Sequence, residues 1–453
     1  MADQLTTYWK LHKVPIVLTI VCLVMYYTFS HHLDRSDFIK LLTLFAGLFF
    51  LCFKLIQFEK WNPKFLIVVG LLFRLIFLLT EPNLSQDFYR FIWDGQLVSH
   101  FVNPYLSTPN ELIAQEDLFI PNAQELYHGM GSLSAKHFSN YPPLHQFLFA
   151  FAALLGGKGI LAQVVVMRGI IILSDLGIVY FGRKLLKNLN RSPHLIFWYF
   201  LNPLVIIELT GNLHFEGVML FFFVGSLYLL SIKKWALAAI PLAFSIAVKL
   251  VPLLFLPLFL KYLGIKKSLI FYLIVAISCL LFFLPFYSPE FLTNYTKTVG
   301  LWFSNFEFNA GLYNGIKHVA MQFDAKPWKL IKTYGRITQV AIVIIIFLAT
   351  LLRGNQKLSV LITSMLLILT SYYVLSATVH PWYIIFLVIL TIYTDYRFAI
   401  LWSAAAVLSY YAYSEVDFKE NLMLLAIEYI CVYGFIAYEI FNQIRQKPIF
   451  RKN

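Results

Sequence analysis

Long apolar runs alternate with short polar clusters along almost the whole chain. A helix needs about 20 mainly apolar residues, with a lower bound near 17, to cross ~30 Å of hydrocarbon. Runs near that length occupy 14–30, 39–56, 65–80, 161–183, 194–209, 217–232, 268–286, 337–352, 357–376, 382–394, 398–412 and 421–441. Residues 142–157 are apolar but short and end at Gly156-Gly157, which predicts a half-span or a helix lying at the interface. Residues 235–260 are flanked by Lys233 and Lys234 before and Lys261 after, so both ends belong on one side of the membrane. The chain must turn between them, and Val251-Pro252 supplies the break. A hairpin of two short helices is predicted, with Lys249 and Pro252 near its tip. The pattern gives an all-α fold: a polytopic transmembrane helical bundle of 11–13 spans with external loop helices.

Composition supports the same class. Of 453 residues, 60% are hydrophobic and only 13% charged, with a mean hydropathy of +0.72. Soluble proteins carry about 25% charged residues. The net charge of +13 would suit nucleic acid if it formed a patch. Instead the basic residues fall in clusters between apolar runs, such as Lys54, Lys60 and Lys64, or Arg183, Lys184, Lys187 and Arg191. That is the positive-inside pattern, so the expected partner is the lipid bilayer and not nucleic acid. It places both termini in the cytoplasm and loop 81–145 outside. This loop holds seven acidic and two basic residues. A second external segment, from about 287 to 336, carries Lys317, Lys326, Lys329, Lys332 and Arg336 against the trend. Long loops escape the rule, and a basic surface helix can rest on anionic lipid. The first 13 residues are polar, so no cleavable signal peptide is expected, and the first span serves as signal and anchor. Cys22, Cys52, Cys279 and Cys431 all sit in apolar runs without metal-ligand spacing and read as inert thiols.

The polar residues that remain converge on the external face. Asp87, Arg90 and Asp94 follow directly on a span, at spacings that place them on one helical face. Tyr89 lies among them. Asn103-Pro104-Tyr105, Tyr141-Pro142-Pro143 and the turn with Asn212, His214 and Glu216 fall on the same side. So do Asn305, Glu307 and Asn309 in the string WFSNFEFN, and His380-Pro381-Trp382-Tyr383. Asn-Pro and Pro-Pro pairs are ordinary turn formers, and tryptophan at a span end is often an interface anchor. Lys249, within a 26-residue apolar stretch, demands a partner or a water-filled cavity. There is no P-loop, HExxH, GxSxG or Cys/His cluster, so no cofactor is expected and a divalent metal is not demanded. Carboxylates, asparagines and aromatics suit carbohydrate: aromatic faces pack on sugar C–H surfaces, and a carboxylate can deprotonate an acceptor hydroxyl.

In this order, the motifs resemble the GT-C superfamily of integral-membrane glycosyltransferases that use polyprenyl-phosphate sugars. The likeness is to its polyprenyl-phosphate-mannose-dependent mannosyltransferases, which include bacterial lipid-glycan enzymes and the eukaryotic enzyme adding the first mannose of glycosylphosphatidylinositol. The string DFYRFIWDG…NPY looks like their first external loop. Tyr141-Pro142-Pro143 looks like the opening of the following helix, and Leu201-Asn202-Pro203 with GNLHFEG like the next external turn. The resemblance covers 65–385 and implies that Asp87 is the catalytic base of an inverting displacement. Gln86 stands before Asp87 where a full Asp-x-Asp would favour metal, and 1–64 hold helices added to the minimal core.

The sequence thus reads as one integral-membrane domain over 1–453: added helices at 1–64, a GT-C-like module at 65–320, and C-terminal spans at 321–453. The expected activity moves a hexose, mannose by the resemblance, from a polyprenyl-phosphate donor to a lipid-linked or cell-envelope glycan acceptor outside the membrane. Asp87 is the expected base, and Lys249 meets the donor phosphate. Tyr89, Asn103, Tyr105, Tyr141, Asn212, His214, Glu216, Asn305, Glu307, Asn309, His380 and Trp382 are the expected substrate contacts, and Arg90 and Asp94 are expected to bind sugar or to order the loop. Two rivals share the membrane cavity: a lipid-glycan flippase, and a polymerase or ligase using a diphosphate donor.

Overall fold

A computed structural model describes residues 2–415 and 417–445. The basic tail residues Lys447, Arg451 and Lys452, expected in the cytoplasm, lie outside the described residues. Among the described residues all regular structure is helical, apart from one isolated parallel bridge between Phe308 and Thr378.

Seven helices are long and apolar enough to cross a membrane: Tyr8–His32, Phe38–Glu59, Ile160–Asn188, Ile265–Phe286, Pro327–Leu352, Leu358–Leu375 and Leu422–Gln443. The protein is therefore a multi-pass helical bundle. Pro193–Phe200 and Pro203–Gly211, bent by 53°, make an eighth if taken as one broken span. The remaining expected spans exist as helices but are shorter than full crossings. They are Pro63–Leu75, Glu216–Ser231, Trp235–Val248, Val251–Leu263, Pro381–Ile392 and Phe398–Ser414. Hydropathy alone overcounts straight crossings here because it does not see where the backbone breaks. Pro203, Pro252 and Pro381 each interrupt an apolar run, and Ala406–Ser414 tightens into a 3-10 helix.

Local sequence explains the boundaries. Asp37 caps helix Phe38–Glu59 by accepting from Lys40 N at 3.1 Å. Asn62 caps Pro63–Leu75 through Phe65 N at 3.2 Å, with proline at the first helical position. Thr108 and Glu111 form a reciprocal capping box in loop 81–145. Helix Ile265–Phe283 exposes Leu269, Leu273, Leu280 and Leu281, as a lipid-facing helix should.

The predicted hairpin is present. Ser226 Oγ donates to Ala238 O and Ser245 Oγ donates to Met219 O, both at 2.8 Å, so Trp235–Val248 runs antiparallel to Glu216–Ser231. The return limb then descends the same helix: Phe255 lies 5.7 Å from Phe223, and Tyr262 OH reaches Leu230 O at 3.4 Å. Both ends of the segment are thus at the Leu230 end of Glu216–Ser231. Lys249 stands at the tip, in extended conformation, paired with Glu216 at the other end.

The bundle also buries charges that the apolar runs concealed. Arg74 and Asp175 pair at 2.8 Å with neither side chain exposed, and Tyr199 OH donates to the same carboxylate at 2.8 Å. The Arg74 guanidinium further donates to the Gly70 and Phe200 carbonyls, each at 2.9 Å. Breaking such a pair leaves one charge buried and uncompensated, which costs about 3–5 kcal/mol. We therefore expect Arg74→Met and Asp175→Leu each to destabilise by that amount, and the double variant to recover most of it. Reversible unfolding in detergent, analysed as a double-mutant cycle, measures the coupling; additive losses would rule the pair out as the source of stability.

Candidate active site

Asp87 opens helix Asp87–Ser99, the first helix of loop 81–145. This helix packs against Pro143–Gly156 so closely that a Cβ on Gly95 would meet the Phe149 carbonyl oxygen at 2.5 Å. The helix therefore cannot slide, and Asp87 is held at its exposed end. Among the described residues the Asp87 carboxylate accepts no hydrogen bond and forms no ion pair. It is half-buried. Burial raises its pKa; His214 and then Lys249 pull it back, while Glu216 and Glu208 push it further up. Those four residues thus place the chemistry around Asp87.

His214 belongs to the turn after the broken span. Residues Ile206–Gly211 are a π-helix, a geometry that widens the coil and often marks functional sites. Leu213 then adopts a left-handed φ of 62°, an unfavourable state for a bulky residue. Two contacts on the neighbouring His214 hold the turn. The His214 ring lies flat on Trp382, with centroids 3.8 Å apart and planes at 16°, and its Nε2 is 3.2 Å from Glu208 Oε2. Glu208 also accepts from Asn212 Nδ2 at 3.1 Å and from Tyr410 OH. Asn212 Oδ1 accepts from Leu84 N at 3.2 Å, which joins this turn to the segment leading into Asp87.

Trp382 carries a second stacked ring, His380, at 4.3 Å and 3°. Two rings this close to one indole would touch each other if they shared a face. No His214–His380 ring contact exists among the described residues, so they lie on opposite faces. Phe308 continues the column beyond His380 at 5.0 Å. Trp382 was expected to present a face to sugar. With both faces covered by histidines it instead sets the spacing of the two imidazoles.

Other expected contacts are engaged by the protein itself. Arg90 Nε donates to Asp94 Oδ1 at 2.7 Å, and its guanidinium donates to the Ser134 and His137 carbonyls at 2.8 and 3.0 Å. Asp94 Oδ2 accepts from Ser139 Oγ at 2.6 Å and Gln146 Nε2 at 3.1 Å. Both side chains are buried, so this network orders the loop rather than meeting substrate, although the helical spacing placed them beside Asp87. Asn103 donates to Phe286 O at 2.9 Å. Tyr105 is buried against Phe286 and Phe291 and donates to Tyr141 O at 2.5 Å. These two residues tie loop 81–145 to the segment that starts near residue 286. Tyr89 lies against Gly129, whose Cβ would sit 2.6 Å from the ring. Tyr141 stays half-buried at the cleft, edge-on to Phe91 at 5.1 Å.

The expected contacts after residue 300 are divided. Glu307 pairs with Lys317. Asn305 caps helix Pro289–Ser304 and is exposed. Asn309 is buried, donating to Glu428 Oε1 at 3.2 Å, and its own carbonyl accepts from Tyr429 OH at 2.5 Å. Asp87, His214, Glu216, Lys249, His380, Trp382, Asn212 and Tyr141 are thus brought together, and the rest support them. Sequence reasoning missed Glu208, Tyr410 and the buried Arg74, Arg168, Asp175 and Glu428. A charge inside an apolar run was signal enough for five of these, and the same rule had singled out Lys249. Tyr410 carried no signal. Among the described residues no group of three or more His, Cys, Asp or Glu is placed to hold a metal ion.

Comparison with known proteins follows this geometry. The family described as "Alpha-(1->6)-mannopyranosyltransferase, N-terminal domain" matches residues 21–263. The match takes in Asp87, the His214 turn and Lys249. A relative named "Alpha-(1->6)-mannopyranosyltransferase B", from Corynebacterium glutamicum, is 27% identical over 156 residues. That region is 34% of this chain and spans about a quarter of the relative's length, 24%.

The contrast between the two aspartates is measurable. Asp94→Asn removes the charge opposite buried Arg90 and should cost about 3 kcal/mol. Asp87→Asn removes a carboxylate that nothing holds, so stability should stay within about 0.5 kcal/mol of wild type. Thermal unfolding of the two purified variants distinguishes them, and an equal loss for Asp87→Asn would show that its carboxylate is structural.

Proposed function

The chain belongs to the alpha-(1->6)-mannopyranosyltransferase family, and from that premise we propose that it transfers mannose from a polyprenyl-phosphate donor to a lipid-linked or cell-envelope glycan. The observation that carries the reading is the unpaired Asp87 carboxylate, fixed at a helix start beside Lys249 and His214. Asp87 takes the proton of the acceptor hydroxyl. The freed oxygen attacks the anomeric carbon, and the bond from that carbon to the phosphate oxygen breaks. The electron pair leaves on phosphate, where Lys249 offsets the charge. Attack from the face opposite the leaving group inverts the anomeric centre. His380 and Tyr141 are proposed sugar contacts, with the Glu208–His214 pair shaping the wall behind them. Lysine supplies the compensating charge, so the reaction is proposed to run without a divalent metal. The site is proposed to face the exterior, on the asymmetry of lysine and arginine between loops.

A general base is worth about 10²–10⁴-fold. Asp87→Asn should lower transfer by that factor in reconstituted membranes given polyprenyl-phosphate mannose. EDTA should leave wild-type transfer intact. Because burial raises Asp87, the wild-type rate should fall as pH drops through a value above the ordinary carboxylate range, since only the deprotonated form accepts a proton. Turnover near wild type for Asp87→Asn, or an EDTA block relieved by Mg²⁺ or Mn²⁺, would refute this mechanism.

Topology has its own test. A single cysteine at Ser107, in loop 81–145, should react with an impermeant thiol reagent in intact cells, whereas one near the C-terminus should react only after permeabilisation. The reverse pattern would place the site in the cytoplasm.

A further inference from the structure

We propose that Glu216 sets the charge selectivity of the phosphate subsite at Lys249: the site retains a singly charged sugar phosphodiester and expels the more negative polyprenyl phosphate. This rests on the function proposed above for Asp87 and Lys249.

Glu216 is the first residue of helix Glu216–Ser231 and reaches Lys249 at the hairpin tip. The two side chains are unequally placed. Lys249 is 22% exposed, whereas Glu216 is 4% exposed. One oxygen of Glu216 takes the lysine. The other, Oε2, is buried with no hydrogen-bond partner. A buried oxygen without donors keeps its field unscreened, and that field reaches Asp87. No neighbouring arginine cancels it. Arg90 is committed to Asp94 and two carbonyls, and Arg168 to four carbonyls.

A ligand at Lys249 therefore meets one positive charge already balanced by Glu216; Glu208 faces His214 at 3.2 Å, and ionised Asp87 adds negative potential. Such a subsite tolerates one negative charge and resists a second. The donor is a phosphodiester with a single charge. Transfer breaks the anomeric carbon–oxygen bond, leaves its electron pair on phosphate and places the acceptor proton on Asp87. The product is a monoester, whose second ionisation near pH 6 gives it a charge of about −1.5 to −2 at pH 7. Once Asp87 has passed that proton to solvent, the product is repelled where the donor is held. A lipid diphosphate, more negative still, is disfavoured for the same reason, which separates this site from that of a diphosphate-using ligase. The same repulsion opposes charge developing during transfer, so Glu216 favours product release at some expense of chemistry.

The test uses the full chain in lipid nanodiscs with polyprenyl-phosphate mannose as donor. Glu216→Gln should lower the inhibition constant of polyprenyl phosphate by roughly tenfold, between the effect of a contact charge in bulk water and near a protein surface. The donor KM should move by less than about threefold, a smaller response expected for a singly charged ligand. Single-turnover rates should hold or rise while steady-state turnover falls, and Glu216→Asp should restore wild-type behaviour. Glu216→Met provides a second neutral variant should Gln fail to fold. Inhibition constant and KM falling in parallel, or an unchanged inhibition constant, would overturn the proposal. If the wild type uses no polyprenyl-phosphate mannose, the function reading fails on its own. Direct binding of polyprenyl phosphate then decides this proposal, and a neutral variant that binds no more tightly than wild type rejects it.

Discussion

The site depends on Arg168. It lies in the first third of span Ile160–Asn188, with no exposed surface, and its guanidinium donates only to backbone. Two carbonyls, Thr210 at 2.7 Å and Gly211 at 3.1 Å, end the π-helix just before His214. Two others, Leu78 at 3.1 Å and Thr80 at 2.5 Å, end the apolar segment that leads to Asp87. Within a bilayer, carbonyls at broken helix ends have no water to bond, and each unsatisfied group costs several kcal/mol. One arginine satisfies four of them. It thereby fixes two chain breaks, distant in sequence, at one point, and the residues that follow them face each other across the cleft.

Around that clamp the charged groups divide by what they are given to do. Arg74 with Asp175, and Arg90 with Asp94, are closed systems whose donors and acceptors are largely spent on the protein. Asp87 is the exception, held by backbone geometry and left without a partner. The helix dipole favours a carboxylate at a helix start, but burial without a donor or cation opposes its charge. That combination suits the proposed role of base, since burial raises its affinity for a proton against the pull of His214 and Lys249.

The fold class, the order of helices and the hairpin at Lys249 were legible because they rest on one-dimensional signals: apolar run length, flanking lysines and proline. The number of full crossings was not. Hydropathy sums side chains, and the apolar neighbours of Asn202-Pro203, Lys249 and His380-Pro381 keep the sum high although the backbone breaks there. Asp87, His214, Glu216 and Lys249 were found as polar residues in the wrong solvent. Arg90 and Asp94 were equally visible, but their partners Ser134, His137, Ser139 and Gln146 lie about 40–50 residues on, and only the folded loop shows that they are occupied. The faces of Trp382 were likewise unreadable, since stacking is a tertiary relation with no sequence period.

The breaks and the polar site coincide for a physical reason. Helix Glu216–Ser231 has 16 residues, about 24 Å at 1.5 Å per residue. If its Ser231 end sits among headgroups, its Glu216 end stops short of the opposite surface of a ~30 Å core. The hairpin tip, the π-helical turn and the His380-Pro381 turn all stop at that same level, joined through Lys249–Glu216 and His214–Trp382. Each break exposes peptide groups that need polar partners, and a sugar phosphate needs such partners at the depth where its lipid tail leaves it. A continuous helix would bury its own peptide groups and offer neither. Interrupting several spans at one depth creates a polar recess while the intact spans on the outside keep the bundle in the membrane. The short helices are therefore what opens a polar recess inside a membrane bundle, the setting that the proposed carboxylate base and lipid-borne substrate require.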